Sequence, residues 1–273
     1  MTHRHIIARY TCDDGSIHYG IVSNQEIRRL SCLPFDALIE TGEIDQLSGI
    51  TLLAPVERPR IFGVAYNYQE HSREAGKTAQ PQAPVLFMKP STAAAGPDDC
   101  ISYPHDGEIV HYEGELTVVM GKQARHVAEE DALDHVLGYT CGNDVSDRIV
   151  QRRESTFGCL LAGKGYDTFA PIGPFIVTGL DPSRQRIITR VNGMVRQDGL
   201  TADLVFSVPY IISYLSRFMT LLPGDVIMTG TPAGVGPLQP GDTVEVEIPG
   251  IGVLRNDVVR EVVPQRPGSA LPW

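Results

Sequence analysis

The sequence predicts a β-rich α+β fold with a barrel-like core, on three observations. Runs of strand length such as PVLFMKP, GELTVVMG and PFIVTG are separated by clusters of Gly, Pro, Asp and Asn. Apolar and polar residues alternate in TVEVEIPG, which puts successive side chains on opposite faces of a strand. Clear helical patterns are confined to AEEDALDHVLG and VPYIISYLSRFM. Many short strands with few helices favour this class over a doubly wound α/β sheet.

A boundary near residue 58 divides the chain into a small N-terminal domain, 1–57, and a larger domain, 58–273, that carries the candidate site residues. Prolines at 55 and 59 mark this boundary. IIARY, HYGIV and EIRRL have the length and composition of strands. The segment SCLPFDALIETGEIDQL that follows them is predicted to form a short helix, because Phe35, Leu38 and Ile39 are at helical spacing.

Composition excludes several classes of function. Among the 273 residues, 42% are apolar, which is enough for a large core, and the formal net charge is −10. Without a run of Lys or Arg, that charge makes binding to nucleic acid or to an anionic membrane surface unfavourable. A small anionic substrate is still compatible with it, provided that local cations reverse the field at the site.

The sequence predicts a cytoplasmic location. Neither a secretory signal at the start nor a membrane-spanning run of about 18 apolar residues is found. The five cysteines form no CxxC pair and are predicted to be reduced thiols.

Two acidic residues and a third further along the chain are the first candidates for a site. Glu113 and Glu115 stand two apart at the start of an apolar strand, so their side chains share a face. Like charges so placed are either a solvated strand face or the ligands of a hard cation. Asp144 ends a short apolar stretch, where it is either a turn residue or a third ligand. Three carboxylates suit Mg²⁺ or Mn²⁺.

The order of motifs around these residues resembles the fumarylacetoacetate hydrolase family over about residues 58–260. Eight short motifs occur in register: NYxxHxxE from Asn67, FMKP from Phe87, YExEL from Tyr112, NDVS from Asn143, GKxxDTF from Gly163, VNG from Val191, PGDVI from Pro223 and TGTPAGVG from Thr229. Each motif alone is a weak signal, and their common order makes the resemblance specific.

The resemblance implies a mixed β-roll core, a homodimer, and one Mg²⁺ or Mn²⁺ per subunit held by Glu113, Glu115 and Asp144. It also implies a small 2-oxo acid as substrate, with the metal stabilising the enolate that forms during reaction. It places a catalytic His–Glu dyad on His71 and Glu74, which a helix over NYQEHSREAG would set on one face. It places a substrate-contacting lysine on Lys164.

Four further residues are candidates to bind substrate. Arg148 and Gln151 follow Asp144 at +4 and +7, so a helix would place both near the metal, where they would hold the far end of the substrate. In the segment Gly230-Thr231, the threonine is a plain turn residue or offers its hydroxyl and N–H to the substrate carboxylate. The chain departs from the family pattern at Asp147 and Ile149, so the identity of the substrate is not carried over.

Three functions follow as expectations. The first is a hydrolase that cleaves a C–C bond in an acylpyruvate-like or fumarylpyruvate-like 2-oxo acid, with water activated by the His–Glu dyad. The second is a 2-oxo acid decarboxylase of the oxaloacetate type, or an isomerase or hydratase of aromatic ring-cleavage products. The third, disfavoured because His71, Glu74 and Lys164 occur together, is a metal-binding protein without catalysis.

Overall fold

A computed structural model describes residues 4–262 of the chain, and strands dominate it. The strands have both parallel and antiparallel neighbours, and the prediction of a β-rich fold is confirmed. Within that range they are β1 Ile6–Thr11, β2 Ile17–Ser23, β3 Glu26–Leu30, β4 Glu40–Gln46, β5 Thr51–Leu52, β6 Ile61–Ala65, β7 Val85–Lys89, β8 Ala94–Ala95, β9 Ile101–Tyr103, β10 Val110–Tyr112, β11 Gly114–Met120, β12 Val136–Asn143, β13 Ser146–Asp147, β14 Ala170–Val177, β15 Arg186–Val191, β16 Met194–Leu200, β17 Val226–Met228, β18 Gly236–Pro237, β19 Thr243–Ile248 and β20 Gly252–Arg260.

Helices are short and lie between these strands. The described residues contain α-helices α1 Gln69–Glu74, α2 Arg148–Ser155 and α3 Val208–Phe218, together with 3₁₀ turns that include Glu129–His135 and Ala162–Lys164. The predicted helix in VPYIISYLSRFM is confirmed as α3. It begins at a serine cap, Ser207, whose hydroxyl accepts the Tyr210 N–H, and it buries Ile211, Ile212 and Leu215. The other predicted helix is only a 3₁₀ turn, because its last residues enter β12.

The large sheet joins the N-terminal strands to the rest of the protein. Its order is β4-β3-β2-β1-β14-β12-β11-β17-β6-β7, and β1 pairs antiparallel with β14. The first strands therefore continue the sheet that carries the candidate ligands. A division at residue 57 stays a prediction.

The prediction of a helix over residues 31–47 is wrong. The chain makes a turn after Leu33 and then forms strand β4, which pairs with β3. Phe35 and Leu38 do pack on the core, but from the turn and the extended segment. Pairing with β3 brings Asp45 and Glu43 onto Arg29, and these contacts favour a strand where apolar spacing alone suggested a helix.

The centre of the large sheet positions the candidate site. Strands β11 and β12 are antiparallel, with Gly114 opposite Asn143 and Glu115 opposite Gly142. Their side chains pack into an apolar core with α3. The start of β11 and the end of β12 consequently meet at one edge. Within residues 4–262, no helix has the length and apolar character that crossing a lipid bilayer requires.

Candidate active site

Three carboxylates meet where β11 begins and β12 ends. Glu113 links β10 to β11, Glu115 is the second residue of β11, and Asp144 follows β12 directly. The Asp144 N–H donates to the Glu113 carbonyl at 2.8 Å, which ties the two chain segments together. One carboxylate oxygen from each residue lies within 4.8 Å of the other two, and all three side chains are buried. The sequence prediction that these residues come together is thus matched by the geometry.

Neighbouring polar groups fix the orientation of these carboxylates. The Asn143 side-chain oxygen accepts the Glu113 N–H at 2.9 Å. The Gly230 N–H donates to Glu115 Oε2 at 2.7 Å. Buried polar groups that are satisfied in this way hold a unique arrangement, because losing a partner in a dry site is costly.

Cations neutralise two of the three carboxylates. Lys164 Nζ lies 2.5 Å from Asp144 Oδ2 and 3.1 Å from Glu113 Oε2, and Lys89 Nζ lies 2.5 Å from Asp144 Oδ1. Arg148 Nη2 donates to Glu113 Oε1 at 2.5 Å. Glu115 forms no ion pair with any residue in 4–262, so positive charge is lacking on its side of the cluster.

The pKa values of the cluster follow from burial and from these contacts. Burial raises the pKa of Glu113, but Arg148 and Lys164 outweigh it and hold that pKa well below its ordinary value. Burial, with Asp144 and Glu113 nearby, raises the pKa of Glu115 well above its ordinary value. Burial lowers the pKa of Lys89 to about 8 against the opposing effect of Asp144.

The cluster fits a hard divalent cation. Buried carboxylate oxygens within reach of one another are the donors that Mg²⁺ and Mn²⁺ prefer. Glu115 has no ion pair within residues 4–262, and its raised pKa means that a nearby positive charge would stabilise its ionised form. Glu113, Glu115 and Asp144 would therefore hold such an ion.

The predicted dyad faces the same cavity. His71 and Glu74 lie on α1, with His71 Nδ1 3.6 Å from Glu74 Oε2, slightly longer than a direct hydrogen bond. The Gly234 N–H donates to both Glu74 oxygens, at 2.9 and 3.1 Å. His71 is buried on the Nδ1 side, so Nε2 is the nitrogen available to the cavity. Such a pair can accept and return a proton.

The cavity, of about 470 Å³, joins the dyad to the cluster. His71, Glu74, Glu113, Glu115 and Lys164 all line it. Arg148, Gln151 and Thr231 line it too, as expected of substrate-binding candidates. Of the ten predicted site residues, all but Asp144 and Gly230 therefore line one cavity, and those two contact the lining residues Lys164 and Glu115.

Several of the substrate-binding candidates already have protein partners. Arg148 Nη1 donates to Gln151 Oε1 at 2.8 Å, while its other arm holds Glu113. The Thr231 hydroxyl donates to the Gly114 carbonyl, and the Gly230 N–H holds Glu115. Their contact with substrate stays a prediction.

The departure from the family pattern at Asp147 has a structural reason. Asp147 is the N-cap of α2, and its Oδ1 accepts the N–H groups of Ile149 and Val150 at 2.9 and 3.1 Å. The cap fixes the start of α2 and so places Arg148 against Glu113. At the other end, Glu154 accepts the N–H groups of Ala162 and Gly163, which anchors the turn that carries Lys164.

Sequence reasoning missed two residues of this site. Lys89, at the end of β7, contacts Asp144 and donates to the Val145 carbonyl at 2.9 Å. A lysine at the end of an apolar run was the available signal. His111 lines the cavity beside Glu113, and burial, with Arg148 nearby, lowers its pKa to about 4. Its position two residues before Glu113 was the corresponding signal.

The fold is rich in β-sheet, and a buried carboxylate cluster shares one cavity with a His–Glu pair. The model of the fumarylacetoacetate (FAA) hydrolase C-terminal domain matches residues 60–259, and a second model, Rv2993c-like, N-terminal, matches residues 7–55. The chain belongs to the fumarylacetoacetate hydrolase family.

Relatives of this chain include enzymes with different activities. It is 42% identical to the human mitochondrial oxaloacetate tautomerase FAHD2A over 78% of this chain and 70% of the human one. A crystal structure of 5-carboxymethyl-2-hydroxymuconate delta-isomerase from Mycobacterium smegmatis matches with a TM-score of 0.87 and 41% identity, covering 94% of this chain and 100% of that one. Fumarylpyruvate hydrolase from Pseudomonas aeruginosa, solved with Mn²⁺ and pyruvate, matches with a TM-score of 0.72 and 36% identity over 76% and 91% of the two chains.

Proposed function

We propose that this protein transfers a proton at C3 of a 2-oxo dicarboxylate, as a keto–enol tautomerase or double-bond isomerase, at a Mg²⁺ or Mn²⁺ site. The observation that carries the proposal is the position of the His71–Glu74 pair on the cavity that Glu113 and Glu115 also line. A base that faces a site for positive charge is the arrangement that enolate chemistry needs.

The reaction starts with removal of a proton. His71 Nε2 takes a proton from C3, the electron pair of the C–H bond forms the C2=C3 double bond, and the C2 oxygen takes up the negative charge. Glu74 stabilises the resulting imidazolium, and return of the proton to oxygen or to another carbon completes the isomerisation. A divalent cation held by the three carboxylates would supply Lewis-acid stabilisation of that negative charge.

Lys164 adds fixed positive charge to the cavity wall. Burial lowers the pKa of Lys164, but Asp144 and Glu113 outweigh it and raise that pKa above its ordinary value. It makes three hydrogen bonds, including one at 2.9 Å to Ser146 Oγ, which keep Nζ in one position. A preorganised cation of this kind favours the enolate over the neutral ketone.

A second anionic group on the substrate is favoured by two other cations. Arg152 and Lys77 line the cavity, and neither has an ion pair with any residue in the described part of the chain. Lys77 lies over the Tyr66 ring at 5.1 Å, and Tyr66 also lines the cavity. Because Arg148 is occupied by Glu113 and Gln151, Arg152 and Lys77 are the cations left to bind a distal carboxylate.

Two relatives support proton transfer in particular. The human tautomerase and the M. smegmatis isomerase are named for reactions that rearrange the bonds of a substrate without cleaving its carbon chain. The match to the isomerase extends over 94% of this protein. Full-length likeness to an isomerase therefore favours this reaction.

Hydrolysis of a C–C bond is the second candidate. The likeness to the P. aeruginosa fumarylpyruvate hydrolase favours it, since the same dyad can activate water. In that reaction the expected products are pyruvate and an organic acid.

A substrate panel tests the proposal. Purified protein with Mn²⁺ is offered the enol form of oxaloacetate, whose ultraviolet absorbance decays as the ketone forms, and separately fumarylpyruvate, with pyruvate release as the readout. We expect accelerated enol decay that His71→Gln lowers by about 100-fold or more. The exposed His105, changed to Gln, is the matched control. Pyruvate release with no effect on enol decay would establish hydrolysis instead.

A further inference from the structure

Gly114, the residue between the two ligand glutamates, is enclosed by a ring of hydrogen bonds. Its N–H donates to Gln197 Oε1 at 2.9 Å, and its carbonyl accepts the Thr231 hydroxyl at 2.9 Å. Gln197 Nε2 closes the ring by donating to Thr231 Oγ1 at 2.7 Å. Both side chains are buried. The ring therefore spans β16, the start of β11 and the loop after β17.

The two bonds that Gly114 makes in the ring hold different peptide planes. The Gly114 N–H belongs to the peptide that joins it to Glu113, whereas its carbonyl belongs to the peptide that joins it to Glu115. Gln197 thus fixes the first plane and Thr231 fixes the second. The directions of both ligand side chains depend on these two planes, because they set where each Cβ points.

The amide of Gln197 has one orientation that satisfies its surroundings. Its second N–H donates to the Pro232 carbonyl at 2.8 Å. A reversed amide would face the Gly114 N–H with a donor and the Pro232 carbonyl with an acceptor, which leaves both unsatisfied. No shorter or purely apolar side chain can make all of these contacts at once.

Packing allows the Gly114 backbone little freedom to move. A Cβ at this position would lie 2.0 Å from Thr189 Oγ1, so only glycine fits. The neighbouring Gly230 N–H holds Glu115 Oε2 from the same loop that supplies Thr231. Loop and strand are consequently joined at a ligand carboxylate and at the backbone beside it.

We propose that Gln197 and Thr231 are positioning residues that set the separation of Glu113 and Glu115 for a divalent cation. This inference rests on the cation site of the proposed function. A buried ring whose members are all satisfied resists displacement, and hard cations bind best when their oxygen ligands are already in place. Neither side chain acts on substrate in this role.

Binding of Mn²⁺ to the full-length protein tests this, measured from the signal of free Mn²⁺ in electron paramagnetic resonance. We expect Gln197→Met and Thr231→Val each to weaken Mn²⁺ affinity by about 10- to 100-fold, as loss of a group that orients a ligand typically does. Thr231→Ser keeps the hydroxyl and should retain nearly wild-type affinity. The double variant should lose less than the product of the two single losses, because both changes open one ring.

A matched control separates positioning from general damage. Ser213→Ala removes a buried hydroxyl that donates to the Val127 carbonyl from α3, outside the ring, so Mn²⁺ affinity should not change. Thermal unfolding of the same samples reports on folding. Variants that melt earlier yet bind Mn²⁺ as the wild type does would overturn the positioning role. Wild-type protein that binds no Mn²⁺ would overturn the cation site itself, and with it this inference.

Discussion

Lys164 and Asp144 form a buried ion pair, with Nζ 2.5 Å from Oδ2. The same ammonium lies 3.1 Å from Glu113 Oε2, so one lysine neutralises charge on two of the carboxylates in the cluster. The pair ties the turn before β14 to the end of β12. It therefore contributes to the charge balance of the site and fixes the turn relative to β12.

Replacing Lys164 by Met should destabilise the protein in the presence of a chelator. The change leaves Asp144 and Glu113 with one cation each, Lys89 and Arg148. The loss in the free energy of unfolding should therefore be smaller than the roughly 3–5 kcal/mol expected for a buried charge left without a partner. Added Mn²⁺ should recover part of that loss, because it returns positive charge to Glu113 and Asp144. Urea titrations with and without Mn²⁺ measure both. Lys122→Met, at an exposed position, is the control, and an equal loss under both conditions would contradict the prediction.

Replacing Asp147 by Ala should weaken α2. Its carboxylate caps two N–H groups at the start of the helix, and loss of such a cap costs about 1 kcal/mol. Asp147→Ser keeps an acceptor and should recover most of that stability in urea unfolding. If the two variants are equally stable, the cap does not contribute.

Replacing Arg152 by Gln should raise KM for a 2-oxo dicarboxylate by about 10-fold or more, the usual effect of losing a charged hydrogen bond. KM for a 2-oxo monocarboxylate should stay the same. Arg153 is its exposed neighbour on α2 and does not line the cavity, so Arg153→Gln is the matched control. Equal changes for both substrate types would exclude recognition of a distal carboxylate.

Acid should destabilise the N-terminal strands through Asp45. Arg29 and Tyr10 donate hydrogen bonds to this carboxylate, and the Arg29 bond is the main cause of a pKa below the ordinary value of 3.8. A lowered folded-state pKa means that the stabilisation is present above the unfolded-state pKa and is lost as pH falls through the folded-state value. The urea midpoint should therefore decline below about pH 4 more steeply for the wild type than for Asp45→Asn. Parallel declines would contradict this.

The strands and the ligand pair were predictable because their patterns are local. Alternation and turn residues located β11, β17 and β19, and the spacing of Glu113 and Glu115 within a strand put both on one face. The same approach gave a wrong prediction for residues 31–47. Apolar residues at helical spacing there pack from a turn, and pairing with β3 overrides the local pattern.

Contacts between distant parts of the chain were not predictable in the same way. Lys89 reaches Asp144 because β7 and β12 belong to one sheet, and the local sequence FMKP does not contain that information. Gln197 contacts Gly114 although β16 and β11 belong to different sheets, and the local sequence does not contain that information either. Arg148 was predicted to lie near the metal ligands, but its commitment to Glu113 depends on the Asp147 cap.

Mn²⁺ binding by wild-type and Glu115→Gln protein, with enol decay measured on the same samples, shows whether proton transfer depends on a cation at the three carboxylates. Protein stripped by a chelator should be inactive and should regain activity as Mn²⁺ binds. Glu115 is the residue to replace, because it is the carboxylate of the cluster that pairs with no cation in residues 4–262. Glu115→Gln should lose both binding and activity, while Glu108→Gln, at an exposed glutamate, should lose neither. Full activity of the stripped protein, or of Glu115→Gln, would show that the reaction needs no cation at this site.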